Sequence, residues 1–163
     1  MRAIPIRFAT PDDVPIILEF IKGLAAFENE LDAVKTTQAD LLRDGFGPQP
    51  KFEVLIAELD GEPVGFALFF LTYSTWAGRP SLYLEDLFVV ESARTHGVGR
   101  QLMAKLAAIA VERGYKRLDL QVLNWNPARE FYRRLDMDHM HDWLPYRLEG
   151  QALQKLAAES KHS

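Results

Sequence analysis

The segment Arg94-Thr95-His96-Gly97-Val98-Gly99-Arg100 joins an apolar, β-branched run to an amphipathic helical pattern, and that position gives it chemical meaning. The first turn of a helix carries backbone N–H groups with no partner inside the helix, at the positive end of its dipole. Glycines let an anion approach those groups without a Cβ in the way. The loop therefore suits a phosphate or pyrophosphate. An ordinary turn before a helix would have the same two glycines. Neither a P-loop lysine pattern nor a full Gly-x-Gly-x-x-Gly is present, which disfavours nucleoside triphosphates and Rossmann dinucleotides. Two adjacent carboxylates, Glu85 and Asp86, stand upstream. Downstream lies Asn126-Pro127-Ala128-Arg129-Glu130-Phe131-Tyr132, which offers a phenol able to exchange a proton.

The remaining composition narrows the chemistry. No cysteine is present, so disulfides, zinc-thiolate sites and thiol nucleophiles are excluded together. His139 and His141 are two apart, but no third ligand stands at a convincing spacing, and no metal is assigned. With 19 Lys plus Arg against 23 Asp plus Glu, the net charge is −4, and no basic run offers a footprint for nucleic acid or an anionic membrane. A cationic substrate is compatible with that balance. The longest apolar stretch, around residues 64–71, is too short to span a bilayer, and the expectation is a cytoplasmic protein. At 163 residues, with 48% apolar and 26% charged residues, the chain fits one domain over 1–163.

The elements that must position these residues read as follows. A short strand at 4–8 leads into Thr10-Pro11-Asp12-Asp13, which combines an N-cap hydroxyl, a first-turn proline and an acid three residues after the cap. Val14, Ile17, Leu18, Ile21, Leu24 and Ala25 continue at helical spacing. A short helix at 38–43 follows, then Gly45, Gly47, Pro48 and Pro50, so 28–50 reads as a lid or substrate rim. Strands at 52–59 and 64–72 flank Asp60-Gly61, a hairpin turn. A strand at 81–90 precedes the glycine loop and a helix that Gly114 ends. A strand at 118–123, a helix at 127–135 and a last strand region at 139–148 complete an α/β pattern, a mixed sheet with helices covering its faces. Alternation along a strand would send Glu85 and Asp86 to opposite faces.

Arg94-x-x-Gly97-x-Gly99, preceded by Tyr83-Leu84-Glu85-Asp86-Leu87-Phe88-Val89-Val90, resembles the acetyl-CoA motif of the GNAT superfamily of N-acetyltransferases. Asn126-x-Ala128-x-x-Phe131-Tyr132 resembles a second motif of that family. The resemblance implies the GNAT fold: a mixed, mostly antiparallel sheet with one splayed strand pair and helices on both faces. It implies that Leu87, Phe88 and Val89 hold the pantetheine arm, and that Arg94, Thr95, His96, Gly97, Val98, Gly99 and Arg100 hold the pyrophosphate. Asn126 and Ala128 would bind the pantetheine as well, with Tyr132 beside the thioester sulfur. The sequence departs from the family pattern at Thr95 and His96, so slightly displaced phosphate contacts are expected.

Acetyl transfer to an amine needs a neutral amine, an N–H donor for the developing oxyanion and a proton for the departing thiolate. Glu85 is the expected base, the backbone around Phe88 the oxyanion donor, and Tyr132 the acid. Direct transfer in a ternary complex needs no protein nucleophile. Thr72-Tyr73-Ser74-Thr75-Trp76-Ala77-Gly78 and the strand after it are similar to the diamine (spermidine/spermine) and thialysine acetyltransferase group. That resemblance implies a polyamine or basic amino-acid analogue as acceptor. Glu28, Glu85, Asp86 and Asp142 would surround the cation, and Trp76 and Trp143 would offer aromatic faces to it. Ser74 stands where the polyamine enzymes have an acid. The group's members are homodimers, and residues 143–158 would contribute at such an interface. Three alternatives stay open: another amine acceptor (an amino acid, an aminoglycoside or a protein N-terminus), a non-catalytic acyl-CoA-binding regulatory module, or a structural domain.

Overall fold

The computed structural model describes residues 3–160. Among them, five strands form one sheet in the order β1 (Ile6–Phe8), β2 (Glu53–Leu59), β3 (Glu62–Ser74), β4 (Arg79–Val89) and β5 (Leu118–Leu120). The first four pair antiparallel and β5 pairs parallel to β4. A parallel neighbour requires a crossover, and helix α3 (Val98–Glu112) supplies it. The chain divides into two compact units, the first ending at Leu123 and the second starting at Asn124.

Local chemistry explains the elements of the first unit. Asp13 accepts the Thr10 N–H at 2.7 Å and a two-pronged pair from Arg7 at 2.7 and 2.9 Å, which fixes the start of α1 (Val14–Phe27) against β1. Arg7 beside it holds the Asp13 carboxyl below the usual carboxylate range. Thr37 and Asp40 cap α2 (Gln38–Phe46) reciprocally, at 3.1 and 3.0 Å. That helix runs three residues past the expected 43, through Gly45, where the Phe52 ring leaves no room for a Cβ. Asp60 and Gly61 both take positive φ, as a two-residue hairpin turn demands.

Alternation sorts the sheet into two apolar faces. Val54, Ile56, Phe66 and Leu68 pack with Val14, Ile17 and Phe20 of α1 and Leu41 of α2. The opposite face presents Leu55, Ala67, Phe69 and Leu82, all fully buried, as are Val98, Leu102 and Leu106 of α3. Each fully buried side chain of that size contributes about 1.5–3 kcal/mol.

Two expected strands differ. The strand expected at 118–123 stops at Leu120, where its pairing to β4 ends at Leu84. Residues 139–148 form no strand: His141 N–H turns back to the His139 carbonyl at 2.9 Å, and Trp143 N–H to Met140 at 3.1 Å. Pro145 removes a ladder donor from the same stretch. The second unit instead holds α4 (Ala128–Arg134) and α5 (Gly150–Ala157). Helix α4 is one residue shorter than the expected 127–135 at each end, and Asp136 with φ of 64° follows its C-terminus.

Candidate active site

Strand β4 changes character at Glu85. Leu84 lies opposite Phe69 and Asp86 opposite Leu68, so Glu85 is an extra residue, a β-bulge. The bulge puts Tyr83 and Asp86 on one face although they are three residues apart. Tyr83 packs on Phe70 (ring centroids 5.2 Å apart) and Phe88 on Phe20 (5.8 Å), on the side of α1. Asp86, opposite the inward-facing Leu68 and two residues before Phe88, shares that face. Simple alternation counted from Tyr83 would put Asp86 on the other face; the extra residue at Glu85 is what brings it onto the α1 side.

The bulge also switches the edges to which backbone groups point. Leu82 N–H donates to Arg117 O at 3.0 Å, toward β5, whereas Val90 N–H donates to Val64 O at 2.8 Å, toward β3. Antiparallel pairs alternate between bonded and non-bonded, so Phe88 bonds to β3 while Leu87 and Val89 point away from it. No strand among the described residues pairs with 85–89 on that side, since β5 stops opposite Leu84. The N–H groups on this open edge thus belong to the two residues flanking Phe88, not to Phe88 itself. The Val89 carbonyl has a partner, Arg94 Nε at 2.9 Å. The Arg94 guanidinium lies over the rings of Phe27 and Phe88, at 5.6 and 5.8 Å, and so ties the loop to the end of α1.

The glycine loop follows at once. Residues Glu91–His96 make a 3-10 turn in which Arg94, Thr95 and His96 are exposed and Ala93 is buried. Gly97 caps α3 with φ of 76°, a left-handed conformation that favours glycine. Gln101 N–H bonds to Gly97 O at 3.1 Å, which leaves the N–H groups of Val98, Gly99 and Arg100 without partners inside the helix. Val98 itself is buried, so only its backbone is available to a ligand. An anion fits this arrangement, directly after the open edge.

Three carboxylates gather near the bulge. Burial, then the charges of Glu85 and Glu28, push the Asp86 carboxyl up to about 7. Burial and then Glu30 raise Glu28, which follows α1 directly. Burial, then Glu85 and Asp119, raise the Tyr83 phenol. Glu85 itself is exposed.

An open strand edge, a phosphate-ready helix start and a group of acids beside the bulge form a combination that can be compared with known proteins. The model of the Acetyltransferase (GNAT) family matches residues 21–137. The chain belongs to the GNAT acetyltransferase family. It is an N-acetyltransferase, and the family's co-substrate is acetyl-CoA. It is 37% identical to the thialysine N-epsilon-acetyltransferase of Sus scrofa, over 98% of this chain and 100% of the relative. It is 39% identical to the human spermidine/spermine N(1)-acetyltransferase-like protein 1, over 94% of this chain and 24% of that longer protein. Among solved structures, an integron cassette protein from V. cholerae superposes with a TM-score of 0.79 at 28% identity, covering 98% of this chain and 100% of its own. The sheet with its β4–β5 split and helices on both faces is the GNAT fold.

In the second unit of this GNAT chain, Asn126 is buried and its Oδ1 accepts the Ala128 N–H at 2.8 Å. That bond starts α4 and gives Asn126 a structural task beyond any ligand contact. Phe131 and Tyr132 pack ring to ring, with centroids 5.2 Å apart. Asp142 and Trp143 are exposed, Asp142 lying 3.5 Å from the His141 ring. In the first unit, Trp76 is 81% exposed at the β3–β4 turn. From Arg79 to Glu85 the strand climbs roughly 20 Å at about 3.4 Å per residue, so β4 holds Trp76 away from the three acids. Ser74 Oγ accepts the Ala77 N–H at 3.1 Å and so shapes that turn. Among the described residues, no group of three metal-ligating side chains occurs. Sequence reasoning missed Tyr83 and Phe27. In the sequence Tyr83 has a place in the strand run but no role, and Phe27 carries no signal.

Proposed function

We propose that this acetyltransferase transfers the acetyl group of acetyl-CoA to a primary amine on a short aliphatic arm, the side chain of a basic amino acid or its thialysine-like analogue. The observation that carries this reading is the gathering of Glu28, Glu85 and Asp86 at the point where β4 loses its neighbour. Three acids around one point favour an alkylammonium, and the relative named for thialysine agrees over nearly the full chain. We treat 1–163 as one functional unit, since the family match runs across the division at Leu123.

In this reading the open edge at Leu87 and Val89 pairs with the pantetheine amides, as an added strand would. The N–H groups from Gly97 to Arg100, the 3-10 turn with Thr95 and His96, and the charge of Arg100 take the pyrophosphate. Asn126 and Ala128 take the pantetheine-binding role that the family resemblance gives them. The incoming ammonium loses a proton to one of the three carboxylates, of which Glu85 is the outermost. The amine then attacks the thioester carbonyl in a ternary complex, with an open-edge N–H donating to the oxyanion and Tyr132 protonating the thiolate. Trp76, Asp142 and Trp143 are assigned to the remainder of the acceptor.

A polyamine acceptor is the second reading, favoured by the similarity to the spermidine/spermine acetyltransferase-like protein. Ser74 weighs against it, because its hydroxyl serves the turn where an acid would add charge. A homodimer belongs to the same proposal, with residues 143–158 packed on a second copy. Trp143, Leu144, Tyr146, Leu148, Leu153 and Leu156 are all exposed, an apolar surface of the kind that interfaces use. Sedimentation of the full chain and of a truncation after Asp142 tests it: a dimer that becomes a monomer is expected.

The substrate test is acetyl-CoA-dependent thiol release with thialysine, lysine, ornithine, spermidine, an aminoglycoside and a peptide. The highest kcat/KM is expected for thialysine or ornithine. Turnover confined to the aminoglycoside or the peptide would discard the substrate class and keep the reaction.

A further inference from the structure

The bulge separates two neighbouring carboxylates into different environments. Glu85, the extra residue, is exposed, whereas Asp86 is turned onto the α1 face, half-buried, with Leu68 opposite and Phe88 two residues on. Asp86 directly precedes Leu87, the first residue whose backbone points to the open edge where the thioester would lie. The charged groups that act on it are Glu85 from β4 and Glu28 from the end of α1, and Tyr83 stands on the same face of β4. Asp119 of β5 acts on Tyr83, and Arg94 is spent on Val89 and two rings. No cation among these neighbours is aimed at Asp86, so an arriving ammonium would be its counter-charge.

We propose that Asp86, and not Glu85, is the base that takes the proton from the substrate ammonium, while Glu85 and Glu28 hold the cation in place. The inference rests on the amine-acetylation reading above. The ammonium N–H bond breaks and its proton becomes a carboxyl O–H on Asp86. The freed lone pair forms the C–N bond, the C–S bond breaks, and the thiolate takes a proton from Tyr132. The second N–H proton, lost as the amide forms, restores Tyr132 through solvent, and Asp86 releases its own to water. A base suits this task when it titrates near the working pH, and the position of Asp86 near 7 supports the assignment.

The experiment is the pH profile of kcat/KM for thialysine at saturating acetyl-CoA, for the wild type, Asp86→Asn and Glu85→Gln. The wild type should lose activity below about pH 7, with an apparent value that belongs to the coupled acids. Asp86→Asn should lower kcat/KM by about 100-fold or more and abolish that acidic limb. Glu85→Gln should raise KM for the amine and move the limb to lower pH, because one negative neighbour is gone.

Thermal unfolding of the same proteins checks that Asp86→Asn folds. An Asp raised in the folded state binds a proton there that the unfolded chain has already lost. Stability therefore falls as pH rises from about 4 toward 7 and levels off above it. Asp86→Asn should melt higher than the wild type above pH 7 and match it near pH 4. An Asp86→Asn enzyme with the limb and turnover intact, a Glu85→Gln enzyme with the limb abolished, or a lower Tm for Asp86→Asn at both pH values would overturn the proposal. A wild type inactive on every amine would overturn the underlying reading, a result distinct from a misplaced base.

Discussion

The two halves of strand β4 belong to one continuous strand and differ in their pairing. From Arg79 to Leu84 the strand is paired on both sides, to β3 and, from Leu82, to β5, and Leu82 and Leu84 are buried. From Glu85 to Val89 it keeps only β3, and its other edge is open. The single extra residue at Glu85 makes the transition: it reassigns the faces, so that an acid comes inward, and it reassigns the edges, so that Leu87 and Val89 face the gap. The first half is paired on both sides, and the proposed binding lies in the second. Backbone groups left unpaired in a sheet are costly unless something else pairs with them, and a pantetheine arm carries two amides suited to that.

This comparison can be broken at either half. The largest effect is expected from Leu82→Pro, which deletes the N–H bonded to Arg117 and empties a fully buried position. A loss of about 3 kcal/mol or more, enough to unfold a marginal domain, should appear in urea titration. Leu87→Pro should behave differently, because its N–H is outside the β3 ladder. The protein should stay folded while acetyl-CoA affinity, read by calorimetry, drops by about 10- to 100-fold for the lost donor.

Smaller substitutions sharpen the contrast. Gly97→Ala places a side chain at φ of 76° and should cost about 1–2 kcal/mol in thermal unfolding. Gly97→Asn should recover part of that stability yet not the acetyl-CoA affinity, since its Cβ still faces the anion. Arg94→Gln frees the Val89 carbonyl and removes the stack on Phe27 and Phe88. A stability change of about 1 kcal/mol is expected for an exposed contact of this kind. A several-fold change in KM for acetyl-CoA should accompany it.

Most of this fold was legible because its signals are local. The capping residues Thr10 and Asp13, the Asp60-Gly61 turn and the glycine at the head of α3 act within a few residues of themselves. The motifs then indicated the strand and loop where the proposed cofactor site lies. The bulge was illegible because register depends on how Leu68 and Phe69 meet β4, a cross-strand fact with no mark in the run Tyr83-Leu84-Glu85-Asp86. That hidden residue decides which face Asp86 takes and which N–H groups around Phe88, those of Leu87 and Val89, point to the open edge. The expected strand at 139–148 misled for another reason. Its apolar residues suit a strand, yet a strand also needs a partner ladder, which composition does not reveal.

The most direct test of the open edge is amide hydrogen exchange, residue by residue, with and without acetyl-CoA. The account predicts that the Leu87 and Val89 amides exchange readily alone and become strongly protected by the ligand, while Leu82 and Leu84 are protected in both states. Leu87 and Val89 amides that exchange equally fast with saturating acetyl-CoA bound would contradict it.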